Sequence, residues 1–436
     1  MRQSIITISL AILLVVSSGC VEVEDKSIYG DLPFDMGVIK EPTFPDRTFD
    51  ICDYGAKDGG KVKNTKAIAE AVDACHKSGG GKVLIPEGIW LTGPIHLKSN
   101  VNLHVAEGAE VRFSQDPDDY LPVVFTRWNG VECYNYSPLI YAKDCSNIAI
   151  TGKGVFDGQG SAWWPWEEQP VNGKYPVWQK LLDSEYNGIA VRDRVYGTRE
   201  RGLRPQMIQL INCKKVLLED YTSQNTPFWN NHLVYCDGVV VRNIRLLNPE
   251  DAPNSDGINI DSSKNVHIQS LFADVGDDAV CIKSGINEDG WRVGRKSENI
   301  VVENCHVKKG HGGIVFGSET SGGIRNVYVR NCLYDGTDIG IRIKSRRGRG
   351  GGVEDVWIEN IKMKNIGWNA VILNMFYAVS ASDVRSETPP RFRNIIIKDI
   401  TCEGAANAIV LRGLPERPIE NITLENVTIM ANSGLN

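Results

Sequence analysis

Asn299-Ile-Val-Val-Glu-Asn-Cys305 decides the fold, because its pattern recurs along the chain. Its first four positions reappear as Asn147-Ile-Ala-Ile, Lys215-Val-Leu-Leu, Gly238-Val-Val-Val and Asn265-Val-His-Ile. They return as Asn326-Val-Tyr-Val, Asp355-Val-Trp-Ile, Asn394-Ile-Ile-Ile and Asn421-Ile-Thr-Leu. From Lys215 onward, consecutive copies start 23 to 39 residues apart, a period that signals a solenoid. Positions one and three after the anchor are apolar in every copy, the alternation of a strand with one buried face. Position four is mostly charged (Glu303, Arg330, Glu359, Lys398, Glu425). Position five is usually Asn or Asp, residue types that tolerate a left-handed turn. Position six returns to the core as Ile244, Leu271, Cys305, Cys332, Ile361, Ile400 and Val427. A strand, a one-residue corner and a further inward residue outline one coil of a parallel β-helix, an all-β fold.

A second strand column aligns Leu233, Ile258, Val280, Ile314, Ile341, Val371 and Ile409. The position before each is small in most copies (Gly257, Ala279, Gly313, Gly340, Ala370, Ala408), which predicts a corner where the backbone turns sharply. Near the N-terminus, Asn64 or Thr65 can cap a helix running to about Lys77, with Ile68, Ala71, Val72 and Cys75 on one face. A short amphipathic helix there would cover the open end of the solenoid. No comparable cover is read at the other end. The chain stops at Asn436 soon after a repeat strand, as a truncated solenoid or one with a polar last coil would. Residues 161–204 interrupt the repeat with Trp163, Trp164, Trp166, Tyr175 and Trp178. Such aromatics suit stacking on sugar rings or packing among themselves, and the sequence leaves both open.

An apolar content of 42% supports a large core, and a net charge of −6 argues against nucleic acid as a partner. Residues 1–20 read as a targeting segment: Arg2, an apolar run from Ile5 to Val16, then Ser17-Ser-Gly-Cys20. The run is too short to span a bilayer comfortably. Its end is similar to a bacterial lipoprotein box, which implies lipidation at Cys20, although Ser17 stands where that box prefers an aliphatic residue. The expected product is exported and held at the periplasmic or outer-membrane surface by its lipid alone. Residues 21–45 read as a tether, and 46–436 as one catalytic domain. Ten cysteines remain after Cys20. Cys305 and Cys332 occupy slots that elsewhere hold Ile, Leu or Val, so they read as buried thiols packing as small hydrophobes, with one disulfide among the rest left open.

Parallel strands lie about 4.8 Å apart, so residues of one column become neighbours despite long separations in sequence. Asp256 and Asp278 share one column, and Asp277 shares the next with His311. Arg342 and Lys344 follow on the same strand face. Strict alternation would turn Asp256 and Asp278 inward. Buried unpaired carboxylates are costly, so the Gly/Ala corner is expected to turn them out.

Asn254-Ser-Asp256-Gly, Gly276-Asp277-Asp278, Gly310-His311-Gly312 and Arg342-Ile-Lys344 resemble, in order, the motifs of glycoside hydrolase family 28, the polygalacturonases. The resemblance covers roughly Phe49 to the C-terminus, with Ser255 where many members have threonine. It implies a right-handed β-helix and hydrolysis of α-1,4-galacturonate bonds in pectin with inversion. Asp277 would be the general acid, and Asp256 and Asp278 would activate water. His311 would bond the acid or a sugar hydroxyl, while Arg342 and Lys344 would hold a substrate carboxylate. Three crowded carboxylates cannot all ionise easily, so one should hold a proton near neutral pH. Acid and base on adjacent rungs sit closer than the roughly 6.5–9.5 Å usual for inversion. Arg346, Arg347 and Arg349 either extend the basic patch or form a solvated loop. The expected partner is a pectic polysaccharide or oligogalacturonide, met by a monomer without cofactor or metal. Exo action is the lean, from the 161–204 loop and from Thr126-Arg-Trp-Asn-Gly, which looks like exo-acting bacterial members. The alternatives are a rhamnogalacturonan-directed galacturonosidase, a Ca²⁺-dependent pectate lyase and a non-catalytic β-helix adhesin.

Overall fold

The computed structural model describes residues 29–168, 170–171, 175–378 and 388–435. The leader, Cys20, and residues 21–28 of the expected tether lie outside them. The chain winds as a right-handed parallel β-helix whose strands pair coil upon coil into one continuous parallel ladder. In the first column, Ile148 pairs with Val216, Val216 with Val239, and the ladder continues through Val266, Ile300, Val327, Val356 and Ile395 to Ile422. All nine repeats therefore stack in the register read from the sequence.

The corners explain the anchor residues. Asn147, Lys215, Gly238, Asn265, Asn299, Asn326, Asp355, Asn394 and Asn421 all have φ between 50° and 77°. The second corner is left-handed too, at Asp220, Asn243, Ser270, Asn304, Asn331, Asn360, Asp399 and Asn426. Asn tolerates this region because its short amide can bond locally. Here it also bonds along the solenoid: Asn326 donates to Asn299 at 3.0 Å, Asn299 to Asn265 at 3.2 Å and Asn265 to Asp237 at 2.7 Å.

The second column requires one correction. Asn231 pairs with Ile258 and Leu233 with Ile260, two residues from the expected alignment. A slip of two keeps Leu233 facing inward, so the hydrophobic pattern could not detect it. The Gly/Ala column breaks the alternation as expected, but not through left-handed backbone. Ala279 and Val280 are consecutive and both enter the core, so Asp278 before them turns outward. The column is small because neighbours crowd it. A Cβ on Gly313 would stand 2.5 Å from the Tyr334 ring, and one on Gly340 2.3 Å from Met363 Sδ.

Helix α1 (Thr65–Lys77) closes the first coil with Ala67, Ile68, Ala71, Val72 and Cys75 buried. Asn64 precedes it without a side-chain cap bond; its amide instead donates to the carbonyls of Lys57, Val62 and Leu91. In its described part, the expected tether is a strap. Tyr29, Leu32, Phe34, Met36, Ile39 and Phe44 pack on Ala149, Leu217, Val240 and Val301, apolar residues that face outward between the buried strand positions. Burying that strip explains why the outer position is apolar in these coils. All ten cysteines after Cys20 are free thiols, and only Cys52 is exposed.

Residues 160–204 pack against a hairpin of strands Val124–Trp128 and Val131–Asn135. Helix α2 (Val177–Tyr186) and helix α3 (Asn287–Val293) join them around Trp128, Val131, Val177, Leu181, Phe228 and Ile286. Trp163 and Trp166 pack with Tyr120 and Tyr136, and Trp164 donates to Thr226 O. Most loop aromatics thus pack among themselves; the Tyr175 side chain lies outside those described. The result is a wall standing on the earlier coils.

Replacing one left-handed anchor tests the corner. Asn326→Ala should cost about 1–2 kcal/mol in chemical denaturation, whereas Asn326→Gly should cost less because it keeps the backbone free.

Candidate active site

Ile258 pairs with Val280, Val280 with Ile314, and Ile314 with Ile341. This register sets Asp256 beside Asp278, places Asp277 beside His311 and carries Arg342 and Lys344 onto the same face. Asp256 and Asp278 are buried at the floor of a cavity of about 400 Å³. One oxygen of each lies within 4.8 Å of the other and of Cys281 Sγ.

Cations decide how these carboxylates ionise. Lys344 Nζ donates to Asp278 Oδ2 at 2.7 Å, and Arg342 donates to Oδ1 at 3.3 Å. Burial alone would push Asp278 up, yet Lys344, Arg342 and Lys283 hold it below the usual carboxylate range. Asp256 faces a weaker partner, Lys283 Nζ at 3.6 Å, which also donates to Glu319 at 3.3 Å and lies 4.4 Å from the Trp229 ring centroid. Burial, then the charge of Asp277, raises Asp256 well above the carboxylate range. The cations therefore favour the ionised form of Asp278 while burial favours the neutral form of Asp256, with titration shared by the cluster. Ca²⁺ takes roughly six to eight oxygen ligands; with two ammoniums against these carboxylates, the donor set does not fit it.

Asp277 stands higher, with its side chain 19% exposed. His311 Nδ1 lies 3.2 Å from its Oδ1, and this bond raises the imidazole above its ordinary value. The backbone amide of Asp278 also donates to Asp277 Oδ1, at 2.8 Å. Ser255 Oγ accepts from the Gly276 amide at 3.0 Å, tying the two acidic turns together.

Several site residues escaped the sequence reading. Lys283 and Glu319 form the buried pair under Asp256. Arg204, 2% exposed, donates to the carbonyls of Pro227 and Pro253 and to Asn254 Oδ1, which fixes the turn leading to Asp256. Burial brings its guanidinium down to about 10. Tyr377 lies beneath Arg342 and Lys344, with cations 5.5 and 5.0 Å from its ring centroid. Trp229 also lines the cavity. Of the arginine run, Arg346 and Arg349 line the cavity, whereas Arg347 pairs with Glu416 outside it. The wall contributes Asn129, Trp178, Leu182 and Ile286 to the lining and closes the cavity on the side of the earlier coils.

The model of glycosyl hydrolases family 28 matches residues 196–435. A protein named "Probable polygalacturonase" from Vitis vinifera is 30% identical over 389 residues, covering 87% of this chain and 73% of its own. An exo-poly-alpha-D-galacturonosidase from Dickeya chrysanthemi is 28% identical, over 84% of this chain and 64% of its own. The crystal structure of a hyperthermoactive exopolygalacturonase from Thermotoga maritima is 36% identical and superposes with a TM-score of 0.84, over 91% of this chain and 94% of that one.

Lys344→Met should destabilise the protein by about 3–5 kcal/mol in denaturant titrations, because it strands a buried charge; Asp278→Asn added to it should recover part of the loss. The charged form of His311 is the one bonded to Asp277, so its stabilising contribution is complete below the unfolded-state value and fades as pH rises through the raised one. Titration by NMR should place His311 above its ordinary value, and Asp277→Asn should bring it down.

Proposed function

The chain belongs to glycosyl hydrolases family 28, and we propose that it hydrolyses α-1,4-galacturonate bonds of polygalacturonate, releasing sugar from the chain end with inversion. The observation that carries this reading is the single cavity in which Asp277, paired with His311, stands over the Asp256–Asp278 couple. Asp277 passes the proton it shares with His311 Nδ1 to the leaving glycosidic oxygen, and His311 orients the carboxyl. Asp278, kept ionised by Lys344 and Arg342, accepts a proton from the attacking water, and protonated Asp256 holds that water by hydrogen bonds. Arg342, which donates to Asp278 through Nη1, and Lys344 also meet the carboxylate of the galacturonate on the leaving side. That preference favours homogalacturonan over a backbone with neutral rhamnose in this position.

Chain-end action is supported by the wall, whose Asn129, Trp178, Leu182 and Ile286 close one end of the cavity. The named exo-acting relatives favour the same reading. Export and a lipid on Cys20, expected from the leader, are part of the proposal, as is a monomeric state. Metabolic labelling with a fatty acid, and its loss in Cys20→Ala, tests the anchor.

Incubation with polygalacturonate should raise reducing ends without any ultraviolet-absorbing unsaturated product, and chelator should leave the rate unchanged. Monogalacturonate should be the early product; a ladder of oligomers would refute chain-end action, and unsaturated products would refute hydrolysis. Asp277→Asn should lower kcat by about 10²–10⁴-fold.

A further inference from the structure

The column that carries Asp277 continues past His311. The Asp338 amide donates to Gly310 O at 2.9 Å and the Trp368 amide to Asp338 O at 2.7 Å. His311, Asp338 and Trp368 therefore follow Asp277 on successive rungs, and Asp338 Oδ2 lies 3.8 Å from His311 Nε2. At about 4.8 Å per rung, Trp368 stands roughly 14 Å from Asp277, toward the later coils. The wall rises from the earlier coils and does not extend in this direction.

Trp368 is unlike the tryptophans of the wall. Trp128, Trp163 and Trp229 are buried, whereas Trp368 is 57% exposed. A large aromatic surface left in water three rungs along the column from the cavity residue Asp277 offers a face that a bound ligand can cover. The column of Lys344 runs the same way: Lys344 pairs with Asn374, and Asn374 with the exposed Arg412. The open end of the cleft thus carries an aromatic plane on one flank and a guanidinium on the other.

We propose that Trp368 is a stacking platform for a sugar on the leaving-group side, several units from the cleaved bond, with Arg412 receiving a carboxylate of the same stretch. The inference rests on the reading that this site cleaves a polyuronate. A pyranose ring offers an apolar C–H face that lies flat on an indole, and Asp338 beside Trp368 repels a uronate carboxylate. The bound sugar therefore turns its carboxylate away from Asp338, toward the flank where Arg412 stands. Grip on this platform helps only substrates long enough to reach it, so it sets a preference for polymer over short oligomers.

The test compares kcat/KM on long polygalacturonate and on digalacturonate for wild type, Trp368→Ala and Trp368→Phe. Trp368→Ala should lower the polymer-over-dimer ratio by about 3- to 10-fold, through KM rather than kcat, and Trp368→Phe should restore much of it. An unchanged ratio in an active, folded Trp368→Ala would overturn the platform and leave the hydrolase reading standing. Equal losses on both substrates would also overturn it, because Trp368 would then act on the fold or the reacting site. A wild type inactive on both substrates would instead overturn the hydrolase reading, and the platform with it.

Discussion

Every feature of this molecule depends on each coil returning to the same register as the one before it. Parallel ladders supply the hydrogen bonds, but they tolerate no drift, since a slip of one residue would exchange core and solvent faces. The return is enforced at two corners per coil by left-handed residues, most of them Asn, with φ near 50–60°. Their amides then bond to the amide or carboxylate one rung below. Local backbone preference and long-range stacking are thus satisfied by one residue type, which is the internal consistency expected of a sequence that folds to one structure.

That register brings carboxylates from distant positions to one cavity, where burial would otherwise forbid them. The protein resolves the cost by unequal pairing. Asp278 has two close cationic donors that favour its charged form, whereas Asp256 must share Lys283 with Glu319 and is pushed toward its neutral form. Two chemically identical side chains on neighbouring rungs are shifted in opposite directions because their cations are distributed differently. Positioning residues such as Arg204 act one step further out, holding the turn that presents Asp256.

The legible parts of the sequence were those selected by repetition. Inward residues such as Val266, Ile300 and Val327 had to be apolar in every coil, and the anchors had to tolerate positive φ, so both columns stood out. The four acidic, histidine and basic motifs were legible through their resemblance to glycoside hydrolase family 28 and through the columns they share. What lay off the repeat was not. Trp229 and Tyr377 sit in irregular backbone, and Lys283, at an outward strand position, reads as an ordinary solvated lysine until the wall covers it. The strap was missed although its signal was present. The apolar outward residues Leu217, Val240 and Val301 needed a cover, and Phe34, Met36 and Ile39 supplied it. The two-residue slip at Asn231 left no trace, because it preserves facing.

The spacing between anchors varies from 23 to 39 residues while the strands between them keep their pairing. Extra length is absorbed where the chain leaves the ladder, so a corner can lengthen without displacing an Asp, His or Lys on the rung. The fold thereby separates two kinds of inheritance. The rungs can keep the chemistry unaltered while the excursions between them change. A new preference for branch, length or chain end could then arise by insertion alone, without reinventing the catalyst.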